Sequence, residues 1–166
     1  MSAPVAIEWT DWHAIQQLLA EYCAVVDGGD WDRWPQLFIA PDCIYRVQPR
    51  ENHERGLPLA TMDYSSNGML KDRAYGIRHT LFHDPYQQRH VLGVPYLREV
   101  LTGTLSGWRV ETNYAVFRTR LDDLSEVFNT GRYLDVIVRT ADGLRFARRE
   151  CIYDSEWIPN SLIYPI

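Results

Sequence analysis

Alternating apolar and polar residues predict three long β-strands in the second half of the chain. They run from Trp108 to Arg120, from Glu126 to Thr140 and from Leu144 to Asp154. A period of two residues is what an antiparallel sheet with one buried face requires. Ala141-Asp142-Gly143 separates the last two strands, and Asp-Gly is a preferred sequence for a tight hairpin turn. The sequence therefore predicts a β-meander, which curves because both of its faces carry apolar and polar side chains.

The same alternation predicts which side chains share a face of the meander. It groups Phe128 with Leu134 in the second strand, and Leu144 and Phe146 with Ile152 in the third. One part of the sheet would cover helices, and another part would meet a second protein surface.

The first half of the chain shows helical rather than alternating spacing. Apolar residues recur every three or four positions from Ile15 to Val26. This pattern predicts the longest helix, with Thr10 as its N-cap and its end at Gly28-Gly29. A second helix begins after Asp30, and Pro35 limits it to about two turns because proline removes a backbone donor.

The middle of the chain combines one helix with short strands and loops. Ser65 or Ser66 caps this third helix, which runs through Arg78. Strands are predicted at 43–47, 59–64 and 91–102, and loops at 50–57 and 86–90.

Helices followed by a long sheet indicate an α+β fold. We predict a strongly curved antiparallel sheet with the N-terminal helices packed in its concave face. The 166 residues, of which 46% are hydrophobic, favour a single domain over residues 1–166 with one sizeable core. Six tryptophans and ten tyrosines exclude a disordered chain.

The net charge of −5 argues against nucleic acid or an anionic membrane as the main partner. No apolar run reaches the ~20 residues that span a bilayer. Residues 1–10 lack the basic and apolar regions of a signal peptide. We therefore expect a soluble, cytoplasmic protein whose partners are proteins or small molecules. Cys23, Cys43 and Cys151 lie far apart in apolar patterns, which predicts reduced core cysteines.

One short segment has the composition of a metal site. His79, His83 and Asp84 could supply two imidazoles and a carboxylate, the ligand set of non-haem iron oxygenases. However, Pro85 follows at once and no further ligand stands at a supporting spacing. We therefore favour the end of a helix with basic residues in its last turn, and predict no metal ligands in this chain.

A pocket between helix and sheet would need a buried titratable group to support proton transfer. The candidates are Asp27, Asp30, His90, Tyr22 and Tyr114. The structural alternative is that Asp30 caps a helix, Asp27 is solvated and the tyrosines lie at the edge of the core. We favour this alternative, and predict no catalytic residues.

The end of the sequence is unusually apolar. A terminal segment is ordinarily polar and mobile, so an apolar one is expected to dock against a protein surface or to form an interface. The residues assigned to this docked tail are Pro159, Leu162, Ile163, Tyr164 and Ile166.

Several segments together resemble the small (beta) subunit of Rieske-type aromatic-ring-hydroxylating dioxygenases, over nearly the whole chain. They are Trp34-Pro35-x-Leu37-Phe38, Asp42-Cys43-x-Tyr45-Arg46-Val47, 51–57, 69–73, 89–93, 131–135, 143–149 and a Pro-Asn-x-Leu that ends at Leu162. Asn52-His53 and Met69-Leu70-x-Asp72-Arg73 look most like subunits of oxygenases for benzoate-like acids such as salicylate, anthranilate or terephthalate.

The resemblance implies a cone-shaped α+β fold shared with scytalone dehydratase and nuclear transport factor relatives. It also implies an α3β3 assembly in which the alpha subunit holds a Rieske [2Fe-2S] cluster and a mononuclear Fe(II), while the beta subunit is mainly structural. A Rieske centre needs paired C-x-H and C-x-x-H motifs, and this chain has neither. We accordingly expect no cofactor in this chain, and self-association as a trimer.

The alternative function is a stand-alone isomerase, dehydratase or cyclase of the same fold, using a buried Asp with Tyr or His. The sheet's arginines favour the subunit, because arginine is enriched at protein interfaces. They are Arg118, Arg120, Arg132, Arg139, Arg145, Arg148 and Arg149. A deep pocket with a buried Asp-Tyr or Asp-His pair would favour the enzyme.

Overall fold

The structure is a computed structural model that describes residues 6–158 and 161–166. Three α-helices lie in this part of the chain, together with a 3-10 helix at Trp34–Leu37. The α-helices are α1 (Trp9–Gly28), α2 (Arg50–Glu54) and α3 (Asn67–His79). The strands are β1 (Ile44–Pro49), β2 (Met62–Tyr64), β3 (Tyr86–Leu92), β4 (Tyr96–Leu101), β5 (Gly107–Arg120), β6 (Glu126–Thr140) and β7 (Gly143–Tyr153).

The strands form one curved, open sheet against which the helices pack. Its order is β2-β1-β7-β6-β5-β3, and β4 also pairs with β5. β5, β6 and β7 are neighbouring antiparallel strands, which confirms the predicted meander. The α+β fold class is also confirmed, although β1 and β7 pair in parallel. β5 is long enough to pair with β4 through its first half and with β3 through its second.

Two β-bulges change which side chains face the helices. In β6 the register shifts at Phe128, which lies unpaired between Asn129 and Val127. In β7 it shifts at Ala147, so Arg149 rather than Arg148 points inward. A bulge adds one residue and thereby reverses the alternation beyond it. The predicted grouping of Phe128 with Leu134 is therefore wrong, since Phe128 belongs to the buried core.

The grouping of Phe146 with Ile152 is wrong for the same reason. Phe146 lies before the bulge of β7, and Cys151 and Tyr153 beyond it join Phe146 in the core cluster. Ile152 is also buried, but it lies outside that cluster.

α1 packs its apolar face against the sheet. Its buried residues are Ile15, Leu18, Leu19, Tyr22, Val25 and Val26. Gly29 ends the helix in the left-handed region with φ 69°, a conformation that glycine adopts without steric cost. Thr10 is not the N-cap, because α1 already begins at Trp9 after Glu8. In α3, Ser66 is the N-cap and its hydroxyl accepts a hydrogen bond from the Met69 amide.

Three other predictions differ from the structure. The helix of about two turns predicted after Asp30 is a single 3-10 turn at Trp34–Leu37. The predicted loop at 50–57 contains α2. The predicted loop at 86–90 is part of β3, whose inward-facing side chains are Gln88 and His90. Because these inward residues are polar, the segment lacks the apolar alternation that indicates a strand, and β3 was predicted as a loop.

The three cysteines are free thiols. Burial raises the pKa of the Cys23 thiol to about 12 and that of Cys43 to about 11. Burial also raises the pKa of Cys151. The thiols therefore stay protonated at neutral pH.

Candidate functional site

The interior between α1 and the sheet holds a cluster of polar side chains around Tyr22. Tyr22 projects from α1 and Tyr45 from β1, and both side chains are fully buried. The Tyr22 hydroxyl donates to the main-chain oxygen of Ile166 at 2.7 Å, and the Tyr45 hydroxyl donates to the same oxygen at 3.0 Å. The Ile166 amide donates to the Tyr45 oxygen at 3.0 Å, and the Cys151 thiol lies 3.3 Å from the Ile166 oxygen. The end of the sequence thus reaches the centre of the fold.

An ion pair lies beside these tyrosines. Arg149 Nε is 2.9 Å from Asp135 Oδ1, and Arg149 Nη2 is 2.7 Å from Asp135 Oδ2. The Arg149 guanidinium also lies 4.0 Å from the ring centre of Tyr22 and 4.2 Å from that of Tyr133. This contact geometry suits a cation over aromatic faces.

Asp27 and His90 form a second buried pair, in which the last turn of α1 meets β3. Asp27 Oδ1 is 2.5 Å from His90 Nδ1, and Asp27 Oδ2 accepts from the His90 amide at 2.9 Å. A carboxylate can only accept here, so Nδ1 carries the proton of His90. The Tyr22 ring meets the His90 ring edge-on at 6.3 Å. Sequence reasoning named these three residues as candidates but favoured a solvated Asp27 and a Tyr22 at the edge of the core. Both of these expectations are wrong, because the Asp27 side chain is 6% exposed and Tyr22 0%.

Three buried polar atoms near Tyr22 have no partner among the described residues. They are His90 Nε2, the Tyr133 hydroxyl and Arg149 Nη1. The Tyr133 ring lies 6.2 Å from that of Tyr22. Burial raises the pKa of both tyrosines, so their hydroxyls remain proton donors. The interior therefore offers spare hydrogen-bonding capacity in a desolvated setting.

The tail residues 161–166 follow a path along α3 and β3 into this interior. Leu162 is 7% exposed and Ile166 0%, whereas Ile163 and Tyr164 are half-buried. Pro159 lies outside the described residues. Arg73 Nη2 donates to the carbonyls of Leu162 at 3.0 Å and Ile163 at 2.6 Å.

Further contacts hold the tail at the rim. Gln88 donates to the Pro165 carbonyl at 3.1 Å. The Tyr164 ring stacks on Trp31 at 5.2 Å, and the Tyr164 hydroxyl is 2.7 Å from His83 Nε2. These contacts fix the direction in which the tail enters the fold.

Among the remaining candidates, Tyr114 borders the cluster, because its ring stacks on that of Tyr133 at 4.2 Å, whereas Asp30 and His79 make only local contacts. Asp30 accepts from the Arg33 amide at 3.1 Å, as in a turn, and the Tyr114 hydroxyl donates to Asn129 at 2.7 Å. His79 is exposed on α3 with its ring 4.5 Å from that of Tyr75. Among residues 6–158 and 161–166, no three His, Cys, Asp or Glu side chains are grouped as metal ligands.

Comparison with known proteins identifies the family. Residues 8–150 match the model of a SnoaL-like domain. The chain is 33% identical over 155 residues to the anthranilate 1,2-dioxygenase small subunit of Burkholderia cepacia, covering 93% of this chain and 94% of that protein. The chain belongs to the small (beta) subunits of aromatic-ring-hydroxylating dioxygenases.

Two further members show how similar this small subunit is to its family. It is 30% identical over 147 residues to subunit beta 1 of the terephthalate 1,2-dioxygenase terminal oxygenase component from a Comamonas species, covering 89% of this chain and 93% of that protein. A solved structure from Novosphingobium aromaticivorans, assigned as a beta subunit of this enzyme class, has a TM-score of 0.84 at 34% identity. It covers 95% of this chain and 97% of that chain. The resemblance found in the sequence is confirmed.

Sequence reasoning missed part of the polar interior of this small subunit. Asp135 shares the two-residue period of Tyr133 and Ile137, so its inward direction was available from the sequence. Arg149 gave no such signal. Continued from Leu144 and Phe146, the alternation makes Arg149 an outward position, and only the bulge at Ala147 turns it inward. In the part of the chain that the structure describes, no helix is long and apolar enough to cross a bilayer.

Proposed function

We propose that this chain is the structural beta subunit of a multicomponent aromatic-ring-hydroxylating dioxygenase that takes part in the degradation of aromatic compounds. The observation that carries this proposal is the 33% identity to the anthranilate 1,2-dioxygenase small subunit over 93% of the chain. The chain is an enzyme component in this sense, and it contributes no catalytic residues of its own.

The iron chemistry belongs to a separate alpha subunit, which carries the Rieske [2Fe-2S] cluster and the mononuclear Fe(II). The sequence supports this division, because it contains no C-x-H or C-x-x-H motif for a Rieske centre. The substrate is an aromatic acid. Anthranilate and terephthalate, which appear in the names of the relatives, are both aromatic acids.

The assembly is an α3β3 hexamer built on a beta trimer in the cytoplasm. Exposed apolar side chains support a large interface at one end of the sheet. Leu121 and Leu124, in the turn between β5 and β6, are 86% and 92% exposed, and Phe82 is 100% exposed. The segment that follows Phe82 lines one surface pocket together with Leu121, so these side chains lie at the same end. Apolar patches of this kind mark interaction sites.

Most of the sheet's arginines are already paired within the chain, and they give the interface less support than the sequence suggested. Arg132 pairs with Glu111, Arg139 with Asp11 and Arg148 with Glu150. Arg118 and Arg120 both pair with Glu126.

Co-expression with an alpha-subunit candidate that carries C-x-H and C-x-x-H motifs tests the assembly. We expect a complex with the mass of α3β3 by light scattering, with Rieske absorption only in that complex. Leu124→Asp should reduce the yield of complex, while Leu105→Asp at the opposite end of β5 is the matched control. A beta chain that remains free of the alpha chain would contradict the proposal.

One observation favours the alternative function of a stand-alone isomerase, dehydratase or cyclase. Asp27 and His90 form the buried pair that such an enzyme needs, with Tyr22 next to them. Under this alternative the chain would purify without an alpha subunit, and Asp27→Asn would remove its activity. Under the subunit proposal, Asp27→Asn can change how much complex assembles, but the dioxygenase turnover of each assembled complex stays the same.

A further inference from the structure

A surface pocket of about 310 Å³ lies between α3 and β2, and we call it the α3 pocket. Tyr64 lines it from β2, Met69 from the first turn of α3 and Leu81 from the segment just after this helix. These three side chains give the pocket apolar walls. None of the described residues that line it belongs to α1, so the α3 pocket is separate from the polar interior around Tyr22. Its volume is at the lower end of the range for small-molecule sites.

Arg73 brings an unpaired positive charge to the α3 pocket. None of the ion pairs in the described part of the chain includes Arg73. Its Nη2 donates to the carbonyls of Leu162 and Ile163, and its Nε is buried without a partner among the described residues. The two bonds to the tail fix the guanidinium in place. A fixed guanidinium with spare donors is a preferred binding group for a carboxylate.

The hydroxyl of Tyr64 is a second donor in the α3 pocket. Burial raises the pKa of Tyr64, and the nearby charge of Arg73 opposes this effect. The hydroxyl therefore stays protonated at neutral pH and can donate a hydrogen bond. A phenol and a guanidinium in one pocket suit the two oxygens of a carboxylate, which can only accept.

Gly76 leaves space in the α3 pocket. It lies within α3 and lines the pocket, although glycine destabilises a helix relative to alanine. Neither a positive φ nor close packing requires glycine here. Outside the backbone of the helix, the atoms nearest to an added Cβ would be Thr80 Oγ1 at 3.6 Å and Leu81 Cδ1 at 4.0 Å. A larger side chain at this position would therefore fill the pocket rather than disturb the fold.

We propose that the α3 pocket binds a small apolar molecule with a single carboxylate. The carboxylate accepts hydrogen bonds from the Arg73 guanidinium and the Tyr64 hydroxyl. The apolar body lies against Met69 and Leu81, in the space that Gly76 leaves. The proposal goes beyond the subunit function and does not rest on it.

Asp72 limits the charge of the ligand. Its carboxylate also lines the α3 pocket, where it repels a second negative charge. Asp72 is exposed, so solvent and salt screen this repulsion in part. Arg73 therefore balances one carboxylate of the ligand, and a ligand with two carboxylates is disfavoured.

Titration of the full chain with three small molecules tests the ligand class. Benzoate carries one carboxylate on an apolar ring, benzamide keeps the ring without the charge, and acetate keeps the charge without the ring. We follow the assigned methyl signal of Met69 by ¹³C NMR, with the buried Met62 as the internal reference. Benzoate should shift the Met69 signal saturably and bind more tightly than benzamide or acetate. Equal or tighter binding of either one overturns the proposed ligand class.

Filling the pocket tests its location without removing a polar contact. Gly76→Leu should abolish the benzoate-dependent shift, because the leucine side chain occupies the space of the ligand. The circular dichroism should remain that of a folded chain, since leucine favours a helix. Gly68→Leu is the matched control, because Gly68 lies in the same helix outside the pocket.

Substitutions of the polar residues test their roles. Tyr64→Phe should weaken benzoate binding about fivefold, as expected for one lost hydrogen bond. Arg73→Gln should weaken it at least about tenfold, because hydrogen bonds to a charged group are stronger. Tyr75→Phe and Arg78→Gln are the matched controls, since both residues lie on α3 outside the pocket. Asp72→Asn should tighten binding by removing the like charge.

Arg73→Gln also removes two hydrogen bonds to the tail, so Tyr64→Phe and Gly76→Leu decide the outcome if that variant does not fold. Two results would exclude the site. One is the absence of a saturable shift at Met69 with benzoate while the spectrum shows folded protein. The other is a benzoate affinity that Gly76→Leu leaves unchanged, because benzoate would then bind elsewhere. Neither result bears on assembly with the alpha subunit.

Discussion

Arg149 and Asp135 form a bidentate ion pair in which both side chains have 0% of their surface exposed. The pair joins β7 to β6, and its two hydrogen bonds measure 2.9 and 2.7 Å. Three aromatic rings surround the guanidinium, those of Tyr22, Tyr133 and Phe146. The favourable attraction in such a pair is largely offset by the cost of removing both charges from water, so each residue mainly serves to neutralise the other.

Removing one member of this pair should destabilise the protein more than removing both. Arg149→Met leaves the Asp135 carboxylate buried and unpaired, and should lower the free energy of unfolding by about 3–5 kcal/mol. Arg149→Met combined with Asp135→Leu should lower it by clearly less. Urea unfolding measures both values, and Arg109→Met is the control, because Arg109 and Glu99 are both more than half exposed. A double variant at least as unstable as Arg149→Met would contradict this account.

The sequence predicted the meander well, because its signals are local. β5, β6 and β7 are 14, 15 and 11 residues long, so each contains a long alternating stretch, and Asp142-Gly143 marks the turn. The positions of the two bulges were not predicted, because the inward residues that follow them, Asn129 and Arg149, are polar and hide the change of phase in the apolar pattern. Arg149 was consequently not expected inside the core.

The polar interior could be predicted only as a set of candidates. His90 was assigned to a loop, because its buried position depends on Asp27, which lies 63 residues earlier in the chain. The path of the tail depends in the same way on Arg73 and Gln88. Hydrogen bonds between distant segments are tertiary properties that no local period contains.

The purified chain without its alpha subunit should be colourless and free of stoichiometric iron. His83 Nε2 is already hydrogen-bonded to Tyr164, and the His79 ring lies against that of Tyr75 at the surface of α3. Replacing both histidines by alanine should therefore leave the metal content, measured by mass spectrometry, at background. Loss of a tightly bound metal in this variant would restore the facial-triad interpretation of His79, His83 and Asp84.

Acid should weaken the link between β5 and β6 through Glu126. A hydrogen bond from Arg118 lowers the pKa of Glu126 below its ordinary value of 4.5. The stabilisation is therefore present above pH 4.5 and is lost as the pH falls through the lower folded value. Glu126→Gln should make the stability less dependent on pH in the acid range below the ordinary pKa of 4.5.

The effect at Glu126 should be small, because its side chain is 51% exposed and solvent screens the pair. Denaturation curves at several pH values measure it, with the exposed Glu156→Gln as the control. An identical acid dependence for Glu126→Gln and the unmodified chain would show that the Arg118 contact does not stabilise the fold.

Truncation after Ile158 should lower both the melting temperature and the yield of assembled complex. The deletion removes the buried side chains of Leu162 and Ile166. Burial of each is worth about 1.5–3 kcal/mol before the entropy of ordering the segment is subtracted. The deletion also leaves the hydroxyls of Tyr22 and Tyr45 without the Ile166 oxygen as their acceptor in the core. The net loss should be a few kcal/mol, a large share of the stability of a domain.

The control for this truncation is Trp157→Ala, because Trp157 is 82% exposed just before the deleted segment. It should melt at the temperature of the unmodified chain and assemble equally well. Thermal denaturation and size-exclusion yield after co-expression measure the two effects. A segment that fills the core cannot be removed without lowering the stability. If the truncated chain melts and assembles like the unmodified chain, the tail therefore contributes nothing to stability.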